Sequence, residues 1–336
     1  GVGRGDFATV LSAGLLALTL VWIAQSPTFL PLGAINALFL ASIAMGGVFY
    51  LAGWSDYGVI PGQHLVGLDR GIAWRVSVFP FVPESGFFAL VVLLANRLAV
   101  GRRGRWPMMV LAGYFLVFSG VRSALIAWIL CELYILVARQ PRAGTALKTT
   151  VLWLLIASFL LFISAPAILL LVPGIAEGPL GSYLFREAAA DLSAGAITQS
   201  AYRGWLWGQH LELFLREPLT GIGTYTFGDL NPSDALAAMG TGSESFLTSW
   251  LARAGLCFLP FVWWLARLGD RAAGESEPFD ACVFLALVVA ALAYGSFIVP
   301  YNFIFLLLFG LLMRRRAGAA DAQTPPPATE EPSTRN

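Results

Sequence analysis

The chain alternates between long apolar runs and short polar connections. An apolar run of about 17 to 25 residues is long enough to cross a bilayer as a helix, and runs near this length recur along the chain. They fall near residues 7–24, 31–53, 87–100, 107–120, 121–138, 150–172, 246–267, 280–297 and 300–313. Because some are short or share a tight connection, the pattern predicts eight or nine transmembrane helices.

Composition leads to the same class of protein. Hydrophobic residues make up 57% of the chain and charged residues 12%, against roughly 25% charged residues in a soluble domain. The sequence therefore predicts an all-α polytopic integral membrane protein. A net charge of +1 argues against a nucleic-acid partner. The three cysteines lie inside apolar runs without metal-ligand spacing, which favours a packing role, and no metal or nucleotide motif appears, so no metal or cofactor is predicted.

The positions of Arg and Lys predict the orientation of the helices. Clusters of these residues beside apolar runs mark the cytoplasmic side. The clusters are Arg102, Arg103 and Arg105; Arg139, Arg142 and Lys148; Arg267 and Arg271; and Arg314, Arg315 and Arg316. With these inside, the hairpin 119–123, the loop 55–86 and the long segment 173–245 share the outer side.

This topology divides the chain into four parts. We expect N-terminal transmembrane helices over 1–172, an extracytoplasmic loop with an amphipathic helix over 173–245, and C-terminal transmembrane helices over 246–316. A Pro-rich polar tail over 317–336 is expected to be disordered in the cytoplasm. Gly1 stands where an initiator Met would be, and no signal-peptide pattern follows, so we expect the chain to begin within a longer protein with helices before it.

The outer loop contains a predicted helix from about Ala196 to Arg216 that stops before Pro218. At 100° per residue, one stripe of this helix carries Arg203, Trp207, His210 and Phe214. A guanidinium suits a diphosphate because its planar donors match phosphate oxygens, and an imidazole exchanges a proton near neutral pH. The alternative interpretation is an amphipathic helix that lies on the membrane.

Other candidates lie at the ends of apolar runs. Arg122, at an outer helix end, either contacts an anion or snorkels to lipid headgroups. Arg216 is a second cation near the predicted stripe. Gly221 and Gly223 predict a tight turn with close backbone approach. Glu244 is either a general base or a carboxylate that complements the dipole of the following helix.

Two ionisable residues lie deeper in apolar runs. Glu132 is in the middle of the run 121–138, and Arg253 is two to three turns into the run 246–267. An unpaired charge is costly in lipid. We therefore hypothesise that both face the bundle interior and pair with each other.

Several of these residues together resemble a known superfamily. They are Arg122 within SGVRSALIAW, the run W-x6-F-x3-P-L-x-G-I-G from Trp207 to Gly223, and SESFLTSWLARAGL at the next apolar run. Their order resembles the O-antigen ligase and O-antigen polymerase (Wzy-type) superfamily over roughly 118–261, with a looser similarity at 78–91. The ligases typically start the re-entry helix with a His-Asn pair, where this chain has Ser243 and Glu244, which favours a polymerase.

The resemblance implies a GT-C-like inverting glycosyltransferase in the bacterial cytoplasmic (inner) membrane, with its active site facing the periplasm. The implied partners are a polyprenyl-diphosphate-linked glycan, membrane lipid and polysaccharide-assembly proteins. Arg122 and Arg203 match the family's arginines and are implied to hold the diphosphate. We assign catalysis to Arg122, Arg203, Glu244 and His210. Substrate binding is assigned to Arg216, Arg253, Trp207, Phe214, Gly221 and Gly223.

The function expected on these grounds is polymerisation of lipid-linked repeat units of a surface polysaccharide, without a metal. The nearest alternative is an O-antigen ligase that transfers the glycan to a lipid or protein acceptor. A transporter or flippase of lipid-linked or anionic substrates is an alternative of another class, because it too would place arginines in a membrane cavity. Transporters often contain paired interrupted helices in internal repeats, and the sequence shows no such repeat.

Overall fold

The computed structural model describes residues 32–53, 58–60, 76–79, 82–98, 105–171, 199–223, 245–275, 277–293, 305 and 307–312. Every regular element in this part of the chain is helical. The helices are α1 (Leu32–Leu51), α2 (Val82–Leu98), α3 (Arg105–Phe118), α4 (Arg122–Ala138), α5 (Thr145–Leu171), α6 (Gln199–Arg216), α7 (Phe246–Ala254), α8 (Leu259–Gly274) and α9 (Phe279–Ala293), with a 3₁₀ turn at Gly255–Phe258.

Three helical segments of the described chain are long and apolar enough to cross a membrane. They are Leu32–Leu51, Thr145–Ser164 and Phe246–Gly274. Helices Arg105–Phe118 and Phe279–Ala293 are apolar but shorter. The all-helical class and a membrane-protein character therefore agree with the sequence analysis. The predicted run 7–24 and half of the run 300–313 lie outside the described residues.

Helix α9 is the centre of the bundle. Each of its residues from Asp280 to Ala293 is buried, and it packs against α2, α4, α5, α7 and α8. A helix that is apolar on all sides has to be surrounded by other helices or lipid, and here other helices surround it. Alanines and a cysteine allow α4 to approach closely: the thiol of Cys131 donates to the carbonyl of Cys282 at 3.4 Å. Both thiols are buried, as a packing role predicts, whereas Cys257 is exposed.

The contacts between helix ends show which ends lie together. Asn36 and Asn96 exchange side-chain hydrogen bonds at 3.1 and 2.8 Å, so the start of α1 is beside the end of α2. Likewise, the indole of Trp153 donates to Asp270 at 2.8 Å, and the ammonium of Lys148 donates to the carbonyl of Glu275 at 3.5 Å. The start of α5 therefore lies beside the end of α8.

Helices α3, α4 and α5 follow one another in alternate directions, and the start of α5 lies beside the end of α8. One end of the bundle, which we call the cationic end, therefore carries Arg105, Arg139, Arg142, Lys148, Arg267 and Arg271. The hairpin at Arg122 lies at the opposite end. There Gly120 has a φ of +65°, and the Val76 amide donates to the carbonyl of Phe118 at 2.9 Å. This contact joins the hairpin to the loop 55–86, which the topology had placed on the same side.

The predicted pair of Glu132 and Arg253 is wrong. Glu132 instead forms an ion pair with Arg97 of α2, with Nε and Oε1 3.6 Å apart. The two side chains are 40% and 30% exposed, so neither charge is fully desolvated. Sequence could not choose between the two arginines because the partner is set by the packing of α2 against α4, between residues far apart in the chain.

We predict that the charge reversal Glu132→Arg lowers stability and that adding Arg97→Glu restores it. A partly exposed pair is worth about 1 kcal/mol, so the double-mutant coupling is expected near that size. The measurement is thermal unfolding in detergent micelles. Adding Arg253→Glu to Glu132→Arg is the control, and recovery by that variant instead would restore the original pairing.

Candidate functional site between helices α6 and α7

Helix α6 ends where proline predicts. It runs from Gln199 to Arg216, close to the expected 196–216, and Pro218 follows after one residue. Pro disfavours helical geometry at the residue before it. The chain then turns, with the Gly221 amide donating to the carbonyl of Glu217 at 2.8 Å. The turn over residues 217–223, which we call the glycine turn, is held against the next helix.

The predicted tight turn with close backbone approach is present. Gly221 and Gly223 have φ values of +70° and +75°, in the left-handed region that favours glycine. A Cβ on Gly221 would collide with the carbonyl group of Arg253, whereas a Cβ on Gly223 would meet no atom within 4 Å. Gly221 is therefore required both by its dihedral angle and by the space.

The apolar run 246–267, predicted as one transmembrane helix, lies within the membrane-length segment Phe246–Gly274, but this segment is interrupted. Helix α7 ends at Ala254, Gly255 has a φ of +56°, and the chain continues through the 3₁₀ turn into α8. Pro260 lies in the first turn of α8, a position that suits proline. The segment Phe246–Gly274 is thus two helices joined at a break.

The glycine turn satisfies the hydrogen bonds that the break leaves open. In an unbroken helix the carbonyls of Ala252 and Arg253 would accept from the amides of Leu256 and Cys257. Here those carbonyls accept from the amides of Ile222 and Gly223, both at 3.0 Å. In return, the amides of Leu256 and Cys257 donate to the carbonyls of Pro218 and Leu219 at 2.8 and 3.4 Å. Four backbone groups exchange partners without loss.

His210 is held at the interface of α6 and α7. Its side chain is 1% exposed, and Nδ1 lies 2.9 Å from Oγ1 of Thr248. Thr248 in turn donates to the carbonyl of Ser245 at 3.3 Å. With its proton directed to Ser245, the Thr248 oxygen accepts from Nδ1–H, and the lone pair of the imidazole is then on Nε2.

Burial makes this imidazole a weak base. The pKa of His210 falls from its ordinary 6.5 to about 4, first because burial disfavours the charged form and second because the positive charge of Arg253 is near. His210 is therefore neutral at pH 7. A conjugate acid of pKa about 4 gives it the base strength of a glutamate carboxylate, whose ordinary pKa is about 4.3.

The other candidates of the predicted stripe surround this contact to different degrees. Trp207, one turn before His210, and Phe214, one turn after it, are partly buried. Arg203 lies in the backbone of α6, and its side chain is outside the described part. Arg216 is exposed and donates to Glu212 of the same helix at 2.6 Å. This ion pair is at the surface, and Arg216 does not belong to the stripe.

The remaining candidates are placed as follows. Arg253 joins the site through its backbone and its charge. Glu244 lies outside the described residues, immediately before Ser245. Arg122 begins α4 and is exposed; no hydrogen bond or ion pair joins it to His210 or Arg253 in the described part of the chain. Within that part, no cluster of His, Cys, Asp or Glu could hold a metal ion.

Sequence analysis missed Ser245 and Thr248. Residues three positions apart lie on one face of a helix, so Ser245 and Thr248 share a face. Ser245 is the N-cap residue of α7. The signal was present in SESFLTS but was assigned to Glu244. The break at Gly255 was also missed, although Gly255 and Pro260 are five residues apart within an apolar run.

Comparisons with protein-family models, with curated proteins and with solved structures find no match to this chain. The function has to be argued from the site.

The glycine turn predicts different costs for two neighbouring glycines. Gly223→Ala meets open space and is expected to cost only the left-handed strain of about 1–2 kcal/mol. Gly221→Ala adds a collision with the Arg253 carbonyl, so it is expected to cost clearly more and to release α6 from α7. Thermal unfolding and limited proteolysis of residues 199–223 measure the two effects. Equal costs for both variants would show that the glycine turn is not docked as described.

The buried imidazole predicts a pH dependence of stability. Between pH 6.5 and about 4, His210 is protonated in the unfolded chain and neutral in the folded protein. Stability therefore falls as pH falls through this window. The loss approaches about 3 kcal/mol when His210 carries the full shift. Unfolding midpoints of wild type and His210→Gln across pH 7 to pH 4 measure it, and the variant is expected to lose less. Parallel profiles would remove His210 as the cause.

Proposed function

We propose that the protein is a membrane glycosyltransferase that polymerises polyprenyl-diphosphate-linked oligosaccharide repeat units of a surface polysaccharide. The observation that carries the proposal is the buried, neutral His210, which the glycine turn holds against α7. Helix α7 is the first part of the membrane-length segment Phe246–Gly274, which is interrupted at Gly255. The full enzyme would have eight or nine spans, a GT-C-like architecture and a site facing the outside of the cytoplasmic membrane.

Glycosyl transfer from a polyprenyl diphosphate needs little beyond charge stabilisation and a base. The oxygen of the acceptor hydroxyl forms a bond to the anomeric carbon, and the bond from that carbon to the diphosphate breaks with inversion. Fixed cations stabilise the charge that develops on the leaving diphosphate. Arg122 and Arg203 are proposed for that role, because guanidinium remains charged and offers paired donors to phosphate oxygens.

The proton of the acceptor hydroxyl needs a place to go. Nε2 of His210 and the carboxylate of Glu244 are the two proposed acceptors. Burial lowers the pKa of His210 to about 4, so its imidazole is neutral at pH 7 and able to accept a proton. In the sequence Glu244 directly precedes Ser245, whose carbonyl accepts from Thr248, the residue that contacts His210.

A transporter of lipid-linked substrates is the second candidate, and one observation favours it. Discontinuous helices are frequent at the binding sites of transporters, and the segment Phe246–Gly274 is interrupted at Gly255. Transporter repeats, however, pair one interrupted helix with another. Within the described residues, the helices α1 and α5 of similar length are continuous, so the interruption has no counterpart there.

The deciding experiment uses the full-length protein in liposomes with a polyprenyl-diphosphate-linked oligosaccharide. A ladder of longer lipid-linked glycans with matching release of polyprenyl diphosphate is expected. Release only with a second lipid or protein acceptor, one transfer per acceptor, would identify a ligase. Movement of labelled substrate across the bilayer without release would identify a transporter and overturn the proposal.

We predict that Arg122→Ala and Arg203→Ala each abolish transfer while the protein stays folded. The loss of a fixed cation at a developing charge costs about 10²-fold or more in rate. The measurement is the rate of polyprenyl diphosphate release, with thermal unfolding as the test of folding. Arg142→Ala, at the cationic end, is the matched control and is expected to keep normal turnover. Normal turnover in either site variant would remove that arginine from the mechanism.

A further inference from the structure

Buried polar side-chain atoms that form no hydrogen bond are concentrated at helices α6 and α7. In the described part of the chain they include Trp207 Nε1, Ser245 Oγ and Trp250 Nε1. Buried polar groups are nearly always paired in folded proteins, and an exception calls for an explanation. A cluster of exceptions in one place indicates a missing partner.

We call the interface of α6 and α7 around His210 and Thr248 the seam. Two of the atoms belong to residues that come three positions before His210 and Thr248. His210 of α6 contacts Thr248 of α7. The glycine turn, which follows α6, contacts residues 252–257 at the end of α7 and just beyond it. The two helices therefore run in parallel. One turn before the His210–Thr248 contact, α6 carries Trp207, and Ser245 is the N-cap of α7. Trp250 lies on another face of α7, where its ring stacks at 6.1 Å from that of Phe258.

The two side chains, Trp207 and Ser245, are uncharged and able to form hydrogen bonds. The indole N–H of Trp207 is a donor only, while the hydroxyl of Ser245, on a side chain that is 0% exposed, both donates and accepts. The imidazole one turn away is neutral. Hydroxyl groups on a ring with an apolar face complement this set, because the indole offers a stacking surface and a donor in one side chain. A phosphate would instead call for several cationic donors.

From this arrangement we infer that the seam at Trp207 and Ser245 binds a neutral sugar, and that this sugar is the acceptor whose hydroxyl is presented to His210. The role of this sugar as the acceptor rests on the proposed function, whereas the sugar site itself is inferred from the two buried atoms. It separates the substrate into two parts: the diphosphate at the arginines, and the acceptor ring at the seam.

The test combines kinetics with two variants that each remove one hydrogen-bonding atom. Trp207→Phe removes the N–H and keeps an aromatic ring, and Ser245→Ala removes the hydroxyl. The soluble acceptor is the oligosaccharide repeat released from the surface polysaccharide of the source organism, titrated in liposomes against a constant lipid-linked donor. Each variant is expected to raise the acceptor KM about tenfold, the worth of one neutral hydrogen bond, without raising the donor KM.

Stability distinguishes recognition from a structural role. A residue that holds the fold together lowers the unfolding temperature when it is removed. Trp207→Phe and Ser245→Ala instead delete buried polar atoms without a partner, so without sugar they are expected to leave the unfolding temperature unchanged or higher. Trp106→Phe and Ser158→Ala, on exposed positions of α3 and α5, are the matched controls and are expected to change neither KM. Unchanged acceptor KM in both site variants, with active wild type, would overturn the inference and leave the proposed function intact.

A binding measurement decides the matter even when no transfer is observed. In ¹⁵N-tryptophan-labelled protein in nanodiscs, the indole signal of Trp207 is the one that disappears in Trp207→Phe. Titration with the same oligosaccharide repeat is expected to shift that signal in wild type and to shift it less in Ser245→Ala. A shift with inorganic diphosphate and not with the sugar, or no shift with either, would overturn the sugar site, whatever the transfer assay shows.

Discussion

The docking of the glycine turn onto the break at Gly255 is the constraint on which the site depends. Four backbone groups that a continuous helix would pair internally are paired instead with Pro218, Leu219, Ile222 and Gly223. Unpaired backbone groups cost several kcal/mol in an apolar medium. A break inside a membrane-length helix is therefore stable only while the turn stays in place, and the turn stays in place only because Gly221 has no side chain.

The same docking fixes the position of α6. Since the turn follows α6 directly, holding the turn also sets the rotation of α6 and its position along α7. His210 then meets Thr248 and is enclosed, and enclosure is the main cause of its lowered pKa. The chemistry of the seam is thus a consequence of backbone hydrogen bonds several residues away.

Sequence reasoning succeeded where the signal is local. The end of α6, the left-handed glycines and the hairpin before Arg122 follow from the conformational limits of proline and glycine. It failed where the answer depends on distant packing. Glu132 pairs with Arg97 because α2 packs on α4, and the break at Gly255 exists because a segment more than thirty residues earlier in the chain supplies its hydrogen bonds. In the sequence itself, Gly255 and Pro260 mark the position of the break but do not reveal the segment that pairs with it.

The low pKa of His210 has a consequence for the order of events in the proposed reaction. Burial and the positive charge of Arg253 make the imidazole a weak base before the donor binds. A bound diphosphate brings negative charge, which offsets the field of Arg253 and favours the protonated imidazole. Donor binding would then strengthen the base that accepts the acceptor's proton. In the proposed mechanism, the diphosphate site and the separate sugar seam would be coupled without direct contact, because the charge of the donor would change the basicity of the group that accepts the proton of the acceptor.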